Sequence, residues 1–218
     1  MDIEKMVLQS GENVFKEYFR TADVVVLAED KMHGIYEKEI CAFLDQFHTL
    51  LNGVCIEFSP DIQKSFDTYI HTGVVDFDLE NVFRGAFMEG KDIRLETLSL
   101  LDKARQYKLP IICFDARKEQ SNECSKRSPT GGVWFIRGET RDEDMYTNIA
   151  DYVTQFPGKY LVIVGAGHIS AERFNGIHER FGPLMKKNFG EKCSIVKLTH
   201  SPDEKGGIYD DVYKSGGL

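Results

Sequence analysis

The sequence predicts an α/β fold, a mainly parallel sheet of about five strands with helices on both faces. Short, wholly apolar runs alternate along the chain with longer stretches at helical spacing. The runs lack the in–out alternation of a half-solvated sheet, so both of their faces are covered. With 218 residues, 42% apolar and 28% charged, the chain can bury a sizeable core without disulfides or metal staples.

Taken in order, residues 1–20 predict an N-terminal helix and Asp23–Ala28 the first buried strand. Ile40, Phe43, Leu44, Phe47, Leu50 and Leu51 recur at helical spacing, and Gly53–Glu57 is the second strand. Polar helical text runs on to Ile70, and a glycine-bearing stretch with Gly73, Gly85 and Gly90 shows no clear register. Leu95, Leu98, Leu101 and Ala104 form another helical stripe before the third strand, Pro110–Asp115.

The polar segment from Ala116 to Gly132 reads as a long surface loop. Met145, Ile149, Tyr152, Val153 and Phe156 then make a helix that Pro157-Gly158 stops. Tyr160–Val164 and Ser194–Leu198 are the fourth and fifth strands, with a helix expected after Gly167. Residues 201–218, rich in Gly and polar side chains, read as a flexible tail, and the whole of 1–218 as one domain.

Composition narrows the function. A formal net charge of −8 argues against a nucleic-acid partner, because phosphate binding needs a concentrated cationic field. No apolar run approaches the roughly 20 residues of a membrane span, and the acidic start lacks the layout of a secretory signal. The five cysteines include no CxxC pair, and Cys55 and Cys113 fall inside apolar strands, as in reduced, cytoplasmic proteins.

Ligands of parallel sheets bind beyond the carboxyl ends of the strands, and acids and imidazoles collect there. Glu29 follows the first strand, with His33 four residues on; Glu57 closes the second, Asp115 the third, and His168 follows the fourth across Gly165-Ala166-Gly167. A neutral His or a carboxylate there could take a proton from water while a second charged group steadies the oxyanion. Each also has a structural reading as a cap or loop anchor, and Glu37 fits a carboxylate in the first turn of the helix that begins near Gly34. Val162–Ser170 imitates a dinucleotide fingerprint, but the next strand ends at Leu198-Thr199-His200 without the acid that would hold a ribose hydroxyl.

Four marks in one order resemble a known superfamily. Ala28-Glu29-Asp30-Lys31-Met32-His33-Gly34-Ile35-Tyr36-Glu37 is similar to a G-E-x-x-H-G-x-x-E stretch, with Ala for the Gly and one extra residue before the His. Glu57 matches an acid closing the next strand, Arg141–Asn148 matches R-D-x-x-M-x-x-N, and Gly165–His168 matches a strand ending in G-x-G-H. Together they resemble the superfamily of erythromycin esterase-like proteins, Tiki metalloproteases, TraB/PrgY proteins and ChaN-like haem-uptake proteins, which shares its fold with one domain of a Pasteurella toxin.

The resemblance implies a pocket in which Glu29, His33, Glu57, Arg141 and His168 converge. By the esterase analogy a Glu/His pair activates water against an ester or related acyl bond, in a small-molecule or peptide substrate. His168 assists, and Arg141, with Asp115 and Glu37, binds substrate. By the Tiki analogy His33, His168 and Glu57 would instead hold a divalent metal, Mn or Zn. Arg141 has a plainer reading, a guanidinium that makes the burial of Glu57 or Glu29 tolerable. The competing class is a non-catalytic binding module: a haem binder like ChaN, or an interaction domain of a bacterial toxin or effector with a protein partner, exported without a signal peptide. Residues 118–130, with Lys118, Lys126 and Arg127, are the one obvious lid and hint at an anionic ligand.

Overall fold

A computed structural model describes residues 17–29, 36–85, 93–117, 125–127, 133–135, 140–171, 178–199 and 211–214. Its main sheet contains β1 (Val24–Glu29), β2 (Gly53–Ile56), β3 (Ile111–Cys113), β6 (Tyr160–Gly165), β7 (Cys193–Thr199) and β8 (Asp211–Lys214). Their order is β3-β2-β6-β1-β7-β8, and every neighbouring pair is parallel. The α/β architecture is the predicted one. Two features add to it: β8 is an edge strand, among the described residues, within the expected flexible tail, and β4 (Ser125–Arg127), inside the expected loop of 116–132, pairs antiparallel with β5 (Val133–Phe135) just past it.

Helices cover both faces, which is why the strands are apolar throughout. On one face α1 (Tyr36–Phe47), α2 (Gln63–Thr72), α3 (Phe77–Gly85) and α4 (Ile93–Gln106) bury Leu44, Phe66, Leu79 and Leu101 against Val25, Leu27, Val54 and Leu161. The other face belongs to α5 (Arg141–Gln155) and α6 (Phe181–Phe189). There Met145, Ile149 and Val153, spaced four apart on α5, meet Val26, Cys55 and Val162. Each fully buried side chain of this size contributes about 1.5–3 kcal/mol. Burial pushes the Cys55 and Cys113 thiols up, so neither is a ready nucleophile.

After β6 the described residues form a 3-10 turn, Ala166–Ile169, and then the helix α6 from Phe181. α6 packs closely on that turn: a Cβ added to Gly182 would stand 2.9 Å from the Ile169 Cα. At the outer edge of the sheet, Gln63 lies along β3. Its Nε2 donates to the Ile111 carbonyl at 2.6 Å, and its Oε1 accepts from the Cys113 amide at 2.7 Å.

Candidate functional site

β2 and β6 end side by side at one rim of the sheet, where the fold rule places a ligand crevice, and four chain segments deliver charged groups to it. Glu57 leaves β2 one residue past Ile56, and its Oε2 accepts from the Gly165 amide at the end of β6 at 2.8 Å. Asp115 lies two residues past β3, with its amide bonded to the Phe58 carbonyl at 2.9 Å. Arg141 and Asp142 open α5, and His168 sits in the 3-10 turn after β6.

Arg141 is the hub. Its Nε and Nη2 donate to the two oxygens of Asp115 at 2.6 and 2.7 Å, a bidentate pair, and Nη2 also donates to Glu57 Oε1 at 2.7 Å. Nη1 stands 3.0 Å from His168 Nε2, which is itself 3.5 Å from Glu57 Oε1. His168 Nδ1 bonds Asp142 Oδ1, and Asp142 Oδ2 accepts from Arg180 Nη1 at 3.2 Å. The cluster is largely shielded from water, with Glu57 7% and His168 14% exposed at the side chain.

The helix places these groups by its period. Arg141, Met145 and Asn148 lie on one face of α5, so Met145 in the core fixes the rotation that aims Arg141 at the crevice. Asn148, one turn further on, donates from Nδ2 to the Phe114 and Asp115 carbonyls, 3.1 Å each, and ties the end of β3 to the helix. The R-D-x-x-M-x-x-N stretch therefore has a physical meaning here, with hub, histidine partner, core anchor and tether in order.

Burial alone would lower the His168 pKa. The hydrogen bonds to Asp142 and Glu57, with the charges of both carboxylates, outweigh it and raise His168 to about 9. Charge balance agrees with that direction: protonated His168 with Arg141 and Arg180 matches Glu57, Asp115 and Asp142 one for one. The Arg141 contact opposes it, because a protonated Nε2 presents a second donor to Nη1, and only the neutral ring with Nδ1–H on Asp142 can accept there.

Of the five groups expected in one crevice, Glu57, Arg141 and His168 come together. Asp115 joins them as the partner of Arg141. Glu29 ends β1 in register with Gly165, at the same rim, but strand alternation sets it with Val25 and Leu27, on the face that α1 covers. His33 and most of residues 118–130 lie outside the described residues, as does the side chain of Glu37. Asp142 and Arg180 were not foreseen. Asp142 is readable as the second letter of R-D-x-x-M-x-x-N and as an acid suited to a helix N-terminus, but neither names a partner for it; Arg180 has no spacing signal at all.

A metal fits poorly at His168 and Glu57. The two donors are at a separation a tetrahedral ion would accept, but the Arg141 guanidinium already bridges them as a fixed cation. Among the described residues no group of three His, Cys, Asp or Glu side chains could hold a metal ion. Nor is any described helix long and apolar enough to cross a membrane.

No protein-family model matches the chain, and no curated protein matches it. Solved structures of similar fold do. One described as bacterial protein toxins aligns over 86% of this chain and 36% of its own, at 14% identity and a TM-score of 0.58. The type III effector HopBA1 aligns over 86% of this chain and 82% of its own, at 12% identity and a TM-score of 0.55. A Bacillus cereus protein aligns over 85% of this chain and 67% of its own, at 14% identity and a TM-score of 0.58. The chain thus spans about a third of that toxin's length. At these identities the likeness is one of fold alone.

Proposed function

We propose that the chain is a hydrolase of ester or related acyl bonds whose proton-transfer group is His168. The observation that carries this reading is a partly accessible imidazole at the strand rim, with Nδ1 on Asp142 and Nε2 turned to Glu57 and Arg141. The two carboxylates raise its pKa to about 9, so His168 carries a proton at neutral pH once Arg141 Nη1 turns from Nε2 toward the substrate. It then suits the general acid that protonates a leaving alcohol as the acyl–oxygen bond breaks. Arg141 supplies fixed positive charge beside the developing oxyanion. Glu57 holds both groups in place through Arg141 and the Gly165 amide. The superfamily resemblance would make Glu29 and His33 the water-activating pair, but Glu29 falls by strand alternation on the face that α1 covers. This reading therefore gives it no part in the step at His168; the acyl preference comes from the same resemblance.

The test is a panel of ester, phosphoester and peptide substrates with and without Mn²⁺. Turnover that His168→Ala and Glu57→Gln each lower at least about 100-fold supports the reading. Turnover indifferent to both substitutions overturns it.

A second reading is a non-catalytic interaction domain of a toxin or effector. Its support is the closure of the ion network, in which Arg141 already engages Glu57, Asp115 and His168, together with the fold likeness. A folded protein that turns over nothing and binds a protein partner through this rim would favour it. A Soret band on haem titration would favour the ChaN-like version.

A further inference from the structure

Resting on the reading of His168 as the proton-transfer group, we propose that Asp142 and Arg180 are positioning residues that reserve Nε2 for chemistry. Asp142 is buried, and its two oxygens have different partners: Oδ1 takes His168 Nδ1, and Oδ2 takes Arg180 Nη1 at 3.2 Å. Favourable interaction with the helix dipole accounts for an acid in the first turn of α5. It does not account for a carboxylate turned to bridge an imidazole and a guanidinium from another part of the chain. With Oδ2 engaged by Arg180, the carboxylate plane is fixed and Oδ1 is directed at Nδ1. The ring can then present only Nε2 to the crevice, and when it loses a proton the remaining one stays on Nδ1.

Arg180 is itself held in place. It directly precedes α6, and two residues earlier His178 Nδ1 lies 3.4 Å from Glu143 Oε1, so two residues of this stretch fasten to consecutive residues of α5. On its other side α6 presses Gly182 against Ile169, the neighbour of His168. α6 thus supports both Arg180 and the turn that carries the ring, while Asp142 stands on α5. The step assigned to the ring moves one proton between Nε2 and the substrate oxygen.

The test uses the full chain with ¹⁵N-labelled histidine, reading the ring tautomer and titration of His168 by NMR, with His168→Gln to assign the signal. Asp142→Asn is expected to lower the His168 titration by at least about one pH unit and kcat by about 100-fold, with KM little changed. Arg180→Met lowers kcat by less and, because it removes a positive charge from the Asp142 pair, moves the His168 titration upward instead; Arg180→Lys reverses most of both changes. His168 titrating in Asp142→Asn and Arg180→Met as in the parent overturns the proposal. If Asp142→Asn does not fold, the two Arg180 variants carry the same readout. A parent inert on every substrate, with the variants still shifting His168, removes the hydrolase reading and leaves the positioning relation standing; an active parent with unshifted variants does the reverse.

Discussion

Arg141 Nη2 donates to Glu57 Oε1 at 2.7 Å across 84 positions of sequence, and this bond joins the end of β2 to the start of α5. Both side chains are nine-tenths or more shielded, so neither charge could stand there alone.

Replacing Arg141 by Met strands Glu57 and Asp115. The expected loss is about 3–5 kcal/mol of unfolding free energy in urea. Arg141→Lys keeps the charge but not the bidentate fork to Asp115, and it should recover only part of the loss.

His168 makes stability depend on pH. Its folded pKa, raised to about 9, lies above the unfolded value of 6.5, so its stabilisation is complete below pH 6.5 and is lost as pH rises through 9. The gap corresponds to ~3 kcal/mol before any opposition from Arg141. Denaturant melts from pH 6 to 10 should show a decline that His168→Gln abolishes. Under the proposed mechanism turnover falls over the same alkaline limb, because the proton donor is lost.

Gly182→Ala tests the support beneath the site without touching a charged group. The new Cβ would stand 2.9 Å from the Ile169 Cα and 3.1 Å from its Cβ, so the turn bearing His168 must move. A cost of about 1–3 kcal/mol is expected, with loss of turnover disproportionate to it. Thermal melts beside kinetics separate the two effects.

Because Arg141 bridges His168 and Glu57, chelation should leave turnover unchanged within about twofold, and added Mn²⁺ should not raise it. An activity abolished by EDTA and restored by Mn²⁺ would mean that other donors hold a metal.

The strands were legible because burial on both faces left apolar runs with little room for another reading. α5 was equally plain, since Met145, Ile149 and Val153 fix its buried stripe. β8 was not legible: an edge strand is selected by its one neighbour, β7, and the composition around it is that of a loop. At the site, the types of residue and the rim were readable, but not who meets whom. Asp115 and Arg141 both read as substrate ligands, yet they bind each other, a pairing that depends on β3 lying beside β2. Strand alternation alone already set Glu29 apart from the α5 face, a signal overridden by its position at a strand end.

Gln63 bears on how this protein meets others of its kind. Its carboxamide satisfies an acceptor at Ile111 and a donor at Cys113 along the outer edge of β3, where a foreign strand would otherwise dock. Lateral annealing of two copies through that margin would first have to evict a side chain rooted in a packed helix. Ordered self-association of the sheet, as in runaway fibres or swapped pairs, is thereby discouraged on the flank nearest the charged crevice.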